Sequence, residues 1–208
     1  MSFNPNHLLN NPASILNRPG LMAGLDNGRD EAQAEPPPPF DPGLYNNAYG
    51  RLGLLGIDNV ADLGCGAGNF VSVMITKGMR PEMYVGVDSN HRNVSTAKAA
   101  YPGWKFIYGD MCDPRIRAEY DRYGAFLMLN LIDTLEDDLG FLASLPSGKP
   151  LVFSLARSER AEACFFLPES NDIRDRYSSI LNIKGVGRYY PAGTDERLGW
   201  FVVMASRW

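Results

Sequence analysis

Val60-Ala-Asp-Leu-Gly-Cys-Gly-Ala-Gly-Asn-Phe70 is the stretch on which the fold turns. Val60 to Leu63 read as a short buried strand that runs straight into a glycine turn, after which Asn69, Phe70, Val71, Val73, Met74 and Ile75 open an apolar helix face. Gly64, Gly66 and Gly68, at alternate positions, permit positive φ and leave bare backbone for a ligand to lie against. Strand, glycine turn and helix in that order predict a nucleotide-type pocket, and the glycines alone do not say which nucleotide.

Two details narrow the choice. Asn69 stands where the dinucleotide fingerprint G-x-G-x-x-G places its third glycine, and an acid, Asp62, comes just before the turn. A dinucleotide sets its pyrophosphate on such a turn and on the helix N-terminus, where further negative charge is badly placed. A nucleoside without phosphate and with positive charge suits Asp62 better. S-adenosylmethionine, with its sulfonium and ammonium groups, is such a ligand.

Asp62-Leu-Gly-Cys-Gly-Ala-Gly68 resembles the first motif of class I S-adenosylmethionine-dependent methyltransferases, the small-molecule group in particular, and the later landmarks follow in order. Val85-Gly-Val-Asp88 is a second strand ending in an acid, 88 − 68 = 20 residues after the last glycine of the turn. A carboxylate accepts a bidentate pair of hydrogen bonds, which fits two ribose hydroxyls. Phe106-Ile-Tyr-Gly-Asp110-Met111 resembles the third landmark, in which the acid faces the adenine amino group and the next apolar residue packs on the ring. Leu127-Met-Leu-Asn130-Leu131-Ile-Asp133-Thr134 resembles the fourth. The resemblance covers about residues 44–208. It implies binding of S-adenosylmethionine, and of its product S-adenosylhomocysteine, by Asp62, Gly64, Cys65, Gly66, Gly68, Asp88, Ser89, Asp110, Met111, Asn130 and Leu131.

The expected fold is α/β. Strands at 60–63, 83–87, 104–108, 125–130 and 151–155 alternate with helices at 69–77, 90–101 and 136–144, the pattern of βαβ crossovers around a parallel sheet. A helix at 172–177 and strands at 180–186 and 199–205 follow, and related folds end in such a hairpin. A single seven-stranded, mostly parallel sheet with helices on both faces is therefore expected, in the order 3-2-1-4-5-7-6 with the last strand antiparallel. Ahead of it, Tyr45, Ala48, Tyr49, Leu52 and Leu55 fall near one face of an entry helix. Residues 1–39 are rich in Asn, Pro and Gly and end in four prolines. They read as a flexible tail before a domain spanning 40–208.

Composition bounds the partners. A chain of 208 residues with 45% hydrophobic content suits one well-buried domain. Its net charge of −4 disfavours tracking a nucleic-acid backbone, which depends on Lys and Arg. Cys65, Cys112 and Cys164 fit no metal-ligand spacing, and Cys65 reads as a small buried filler. The run Glu136-Asp-Asp138 favours a helix start, and no metal site is expected. With no apolar run of about 18 residues, neither a membrane span nor a leader is expected, and the expected location is cytoplasmic.

The chemistry is less legible. Methyl transfer is an in-line displacement that needs alignment, and a general base only for an acceptor of high pKa. Many small-molecule methyltransferases carry Glu-His in the fourth motif, where this chain has Asp133-Thr134, so Asp133 is the one weak candidate for a base. The Asp/Asn-Pro-Pro-aromatic signature of nucleic-acid amino-methyltransferases is missing from Asn130-Leu-Ile-Asp133. A small-molecule acceptor is the leading expectation. A macromolecular acceptor, approached through Arg157, Arg160, Arg174, Arg176 and Arg188, and a non-catalytic binding protein on the same fold remain open.

Overall fold

The computed structural model describes residues 41–157, 163–193 and 199–208, so the expected tail at 1–39 lies outside the described residues. Helix α1 (Pro42–Leu54) leads into β1 (Val60–Leu63), α2 (Asn69–Thr76), β2 (Tyr84–Asp88), α3 (His91–Ala100) and β3 (Phe106–Tyr108). There follow α4 (Pro114–Tyr120), β4 (Ala125–Met128), α5 (Asp138–Ser144), β5 (Pro150–Ala156), α6 (Ser170–Tyr177), β6 (Leu181–Tyr189) and β7 (Trp200–Arg207). The strands form one seven-stranded sheet in the order 3-2-1-4-5-7-6. Strands β1 to β5 pair in parallel, and β7 runs antiparallel to both β5 and β6. This is the architecture expected from the sequence.

Two apolar layers cover the sheet. Because side chains alternate along a strand, Ala61 and Leu63 face one layer with Val85, Val87, Phe126 and Met128, closed by Tyr120, Phe141, Leu142, Ile173 and Tyr177 from α4, α5 and α6. Val60 faces the other, with Tyr84, Ala125 and Leu127, under Leu44, Ala48, Leu52, Phe70, Val71, Met74, Val94 and Ala97 from α1, α2 and α3. The central strands β1 and β4 are buried at every residue, as a sheet covered on both faces requires.

Helix α4 departs from the sequence-based expectation, which ran from the third strand to the fourth without a helix between them. Its start signals are nonetheless present: Asp113 caps it by accepting from the Arg115 backbone N–H at 2.8 Å, and Pro114 occupies the first turn. Seven residues are too few for a clear apolar period, and a single fully buried side chain, Tyr120, anchors them.

Helix α1 is fastened at its start. Asp41 Oδ1 accepts from Gly43 N–H and from the Tyr189 hydroxyl, both at 2.8 Å, which ties the helix cap to the end of β6. On the opposite layer, Asp138 is 1% exposed and accepts a bidentate pair from Arg176, Nη2 at 2.6 Å and Nε at 3.0 Å, together with the Tyr177 hydroxyl at 2.7 Å. Arg176 lies 4.2 Å from the centre of the Phe165 ring. The third acid of Glu136-Asp-Asp138 is thus a buried tie between α5 and α6, while Asp137 caps α5 by accepting from Gly140 N–H.

Removing Asp138 leaves the Tyr177 hydroxyl without its acceptor in the buried layer, while Arg176, half-buried, is partly solvated. Asp138→Ala is expected to lower the unfolding free energy by about 2 kcal/mol in urea titration. A change below about 0.5 kcal/mol, the range of an ordinary surface substitution, would show that the tie carries no weight.

Candidate functional site

The glycine turn is built against β2 as much as against β1. Gly64 and Cys65 both donate backbone N–H groups to the Val87 carbonyl, at 2.8 and 3.1 Å. Gly66 N–H donates to Asp88 Oδ2 at 2.8 Å, and the other oxygen of Asp88 accepts from Asn90 N–H at 2.8 Å. One carboxylate therefore holds the turn, the end of β2 and the start of α3. It also accepts from the Asn93 side-chain amide at 3.4 Å, which leaves about one of its roughly four acceptor sites for a further donor, and two where that long contact yields.

The three glycines do different work. A Cβ at Gly64 would stand 3.0 Å from Leu131 Cδ1, so this residue lets the segment after β4 close on the turn. At Gly68, with φ of 80°, a Cβ would meet Phe106 at 2.9 Å and Ala97 at 3.2 Å, so helix α2 could not seat. At Gly66, with φ of 54°, a Cβ would meet no atom within 4 Å. Its Cα faces open space, the bare backbone that the sequence pattern anticipated.

The remaining members converge on this turn. Gly109 N–H donates to the Asp88 carbonyl at 3.1 Å, bringing Asp110 and Met111 beside the end of β2, where Ser89 is exposed. Asp110 Oδ1 accepts from Cys112 N–H at 2.8 Å. His91 and Tyr108 meet edge to face at 5.4 Å along the rim. Asn130, two residues beyond β4, has φ of 56° and is the non-glycine residue in the left-handed region among the described residues. Its backbone N–H donates to Ser154 Oγ at 2.9 Å, and its side-chain oxygen accepts from the Trp200 indole at 2.7 Å. Because indole only donates, the amide orientation is fixed and its NH2 is turned the other way.

Asp62 stands within β1 just before the turn, as expected, and the structure adds that it is buried. It is the third of four residues in β1, is 3% exposed, and accepts from the Tyr84 hydroxyl at 2.9 Å. Burial pushes its carboxyl up to about 7; the Tyr84 hydrogen bond works against that rise and the nearby Asp88 charge adds to it. Burial likewise pushes the Cys65 thiol up, reinforced by Asp62 and Asp88, so Cys65 stays a neutral filler. Tyr45 of α1 lies over the same spot, its phenol pushed up to about 12 by burial and hydrogen-bonded with Asn69.

Asp133 is also buried, at 3% exposure, with Oδ2 accepting from Ala156 N–H at 3.1 Å and its backbone carbonyl accepting from Cys164 N–H at 2.7 Å. That placement suits a tie to the end of β5 better than a base in contact with an acceptor.

No family model and no curated protein matches the chain. Solved structures do. The magnesium protoporphyrin IX methyltransferase ChlM of Synechocystis PCC 6803 with bound SAM aligns over 80% of both chains at 18% identity and a TM-score of 0.55. The methyltransferase domain of a bacterial CtHen1-C aligns over 79% of this chain and 96% of its own at 15% identity and 0.60. The glycopeptide N-methyltransferase MtfA aligns over 77% and 94% at 17% and 0.55. The chain has the class I methyltransferase fold.

In a methyltransferase fold, as in other open α/β sheets, ligands lie at the carboxyl ends of the strands. The turn, Asp88, Asp110 and Asn130 are gathered there. A cleft of about 550 Å³, lined by Asn59, Glu82, Lys105, Arg122 and Tyr123 among others, opens at the amino ends instead and stands apart from this site. Among the described residues no group of three or more His, Cys, Asp or Glu is placed to hold a metal, and no helix is long and apolar enough to cross a membrane.

The basic patch considered from sequence is largely engaged within the fold. Arg176 pairs with Asp138, Arg188 with Glu169 at 3.0 Å, and Arg157 donates to the Tyr190 hydroxyl at 2.7 Å. Arg174 is exposed, and Arg160 lies outside the described residues. Sequence reasoning missed Tyr84 and Trp200 as partners of Asp62 and Asn130. For Tyr84 a signal existed, since it precedes Gly86 by two residues and so shares its face of the strand.

The Asp62 carboxyl gives a pH dependence of known sign. Its pKa is raised in the folded protein from an ordinary value near 4, so between about pH 4 and pH 7 the folded state holds the extra proton. Stability contributed by Asp62 is complete below that window and is lost as pH rises through it. Asp62→Asn should remove this component, on the order of 3 kcal/mol, from the pH profile of urea unfolding. Parallel wild-type and variant profiles would contradict it.

Proposed function

We propose that the protein binds S-adenosylmethionine at the carboxyl ends of β1 to β4 and transfers its methyl group to a small-molecule acceptor. The observation that carries this reading is the open backbone at Gly66, held by the Asp88 carboxylate beside the segments bearing Asp110 and Asn130. Asp88 would take the ribose hydroxyls. Asp110, Met111 and Ser89 would border the adenine, and Gly64, Cys65, Gly66, Gly68, Asn130 and Leu131 would line the methionine arm, with Asp62 beneath. The cofactor supplies the electrophilic methyl group when bound. The chain supplies alignment, exclusion of water and, in Asp62, an acid beneath the methionine arm.

No side chain is assigned as a base, since Asp133 is turned inward, and displacement at a sulfonium proceeds without one when the acceptor is already nucleophilic. A small acceptor is favoured over a macromolecular one by the half-buried contacts of Arg157 and Arg176, by the surface pairing of Arg188 with Glu169 and by the acidic total charge. The likeness to ChlM and MtfA is in keeping with this choice. The reading includes a tail at 1–39 ahead of the domain and a cytoplasmic location.

Calorimetric titration tests the cofactor directly: micromolar binding of S-adenosylmethionine and S-adenosylhomocysteine and none of NAD is expected, and the reverse would place the chain among dinucleotide proteins. Asp88→Ala should weaken cofactor binding by about 2 to 4 kcal/mol through loss of charge-assisted hydrogen bonds. Because Asp88 also holds Gly66 and Asn90, the same variant should lose about 1 kcal/mol of folding stability. Gly66→Val should abolish binding, since its side chain enters the open space and its backbone must keep a positive φ. Undiminished affinity in either folded variant would mean that the cofactor lies elsewhere.

A further inference from the structure

Tyr84 is fully buried and yet polar, and its hydroxyl reaches Asp62 only because of the residue between them. Gly86 pairs in register with Asp62 across β1 and β2. A Cβ on it would stand 2.7 Å from the Tyr84 hydroxyl oxygen, 2.8 Å from Cys65 Sγ and 2.8 Å from Phe106 Cδ1. The missing side chain is the channel through which the phenol crosses the strand. The ring is fixed on its other sides by Trp104 and Phe106, each edge-on with centroids 5.7 Å away. The donor is thereby held in place by aromatic packing that does not involve Asp62.

The surroundings of Asp62 define what it lacks. The groups that act on it or that it acts on are the Tyr84 phenol and the Asp88 carboxylate of β2, the Cys65 thiol of the turn and the Tyr45 phenol of α1. None is a cation, and among the described residues no ion pair involves Asp62. A buried carboxyl whose described neighbours are neutral donors and a second acid is left without a counter-charge, which a cationic ligand would supply.

We propose that Tyr84 is a positioning residue for the cofactor: through its hydrogen bond it orients Asp62 beneath the glycine turn and favours its anionic form, so that the cleft selects a cationic nucleoside over a neutral one. This rests on the reading of the cleft as the S-adenosylmethionine site. A hydrogen bond donated to a carboxylate favours the charged form, and so does a cation bound beside it, while burial opposes both. Binding of the cationic cofactor and loss of the Asp62 proton are consequently coupled. Affinity rises with pH through about 7, and binding near that pH releases a proton. A neutral nucleoside in the same cleft shows neither effect.

Tyr84→Phe keeps the ring and removes the donor. The test compares calorimetric titrations of wild type and variant between about pH 6 and pH 9 with two probes. One is S-adenosylmethionine. The other is 5′-methylthioadenosine, which has the nucleoside and the sulfur but neither cationic centre. The expected result is a loss of about tenfold in S-adenosylmethionine affinity at pH 7, recovering at high pH, with 5′-methylthioadenosine affinity unmoved. An equal loss for both probes would reduce Tyr84 to a packing residue, and no loss for either would overturn the coupling. A carbon-13 NMR titration of the Asp62 carboxyl in ligand-free wild type and variant decides the Tyr84–Asp62 link independently. The midpoint should be higher in the variant, and an unmoved midpoint overturns the proposal. Wild-type protein that bound neither probe would remove the cofactor reading instead, which the ligand-free titration distinguishes from failure of the link.

Discussion

The carboxylate of Asp88 is the constraint from which the rest of the site follows. One of its oxygens receives the Gly66 N–H and the other the Asn90 N–H, so the turn after β1 and the helix after β2 share a single acceptor group. Together with the paired N–H donations from Gly64 and Cys65 to Val87, this fixes the turn to its neighbouring strand. The open face at Gly66 exists only in that arrangement. Gly64 and Gly68 then admit Leu131 and Phe106 from the flanking segments, which complete the walls.

Much of this could be read from residue order, for a physical reason. Parallel strands buried on both faces must be short apolar runs, and their crossovers must be helices, so Val60 to Leu63, Tyr84 to Asp88 and Ala125 to Met128 announce themselves. Acids that terminate such runs are conspicuous, because nothing in packing asks for them. Helix α4 was less legible, since seven residues with one buried anchor carry no period and its cap had to be recognised alone. Least legible were the contacts between side chains distant in sequence. Tyr84 to Asp62, Trp200 to Asn130 and Tyr189 to Asp41 each join residues whose separation says nothing of their proximity. The bond from Ala156 N–H to Asp133 is of the same kind: residue order shows the carboxylate in a motif position but not its partner 23 residues on.

Asn130 gives one wall of the site a defined polarity. With its oxygen occupied by the Trp200 indole, the amide offers N–H donors rather than an acceptor oxygen. Its backbone lies in the left-handed region, at φ of 56°, which asparagine tolerates better than most non-glycine residues.

The bond between Asp41 and Tyr189 spans 148 residues, and it bears on the order in which the chain becomes structured. Helix α1 has a cap that is completed by the last residue of β6, and β6 is itself paired only with β7. The helix therefore rests on two supports: Leu44, Ala48 and Leu52 pack into the layer shared with α2, while its start is pinned to the C-terminal hairpin. Closing so long a loop gives little return until both ends are in place, so the pin at Asp41 forms only once β6 is in place. Loss of that one bond would loosen the start of α1, close to Tyr45 over the glycine turn, without breaking a pairing in the sheet.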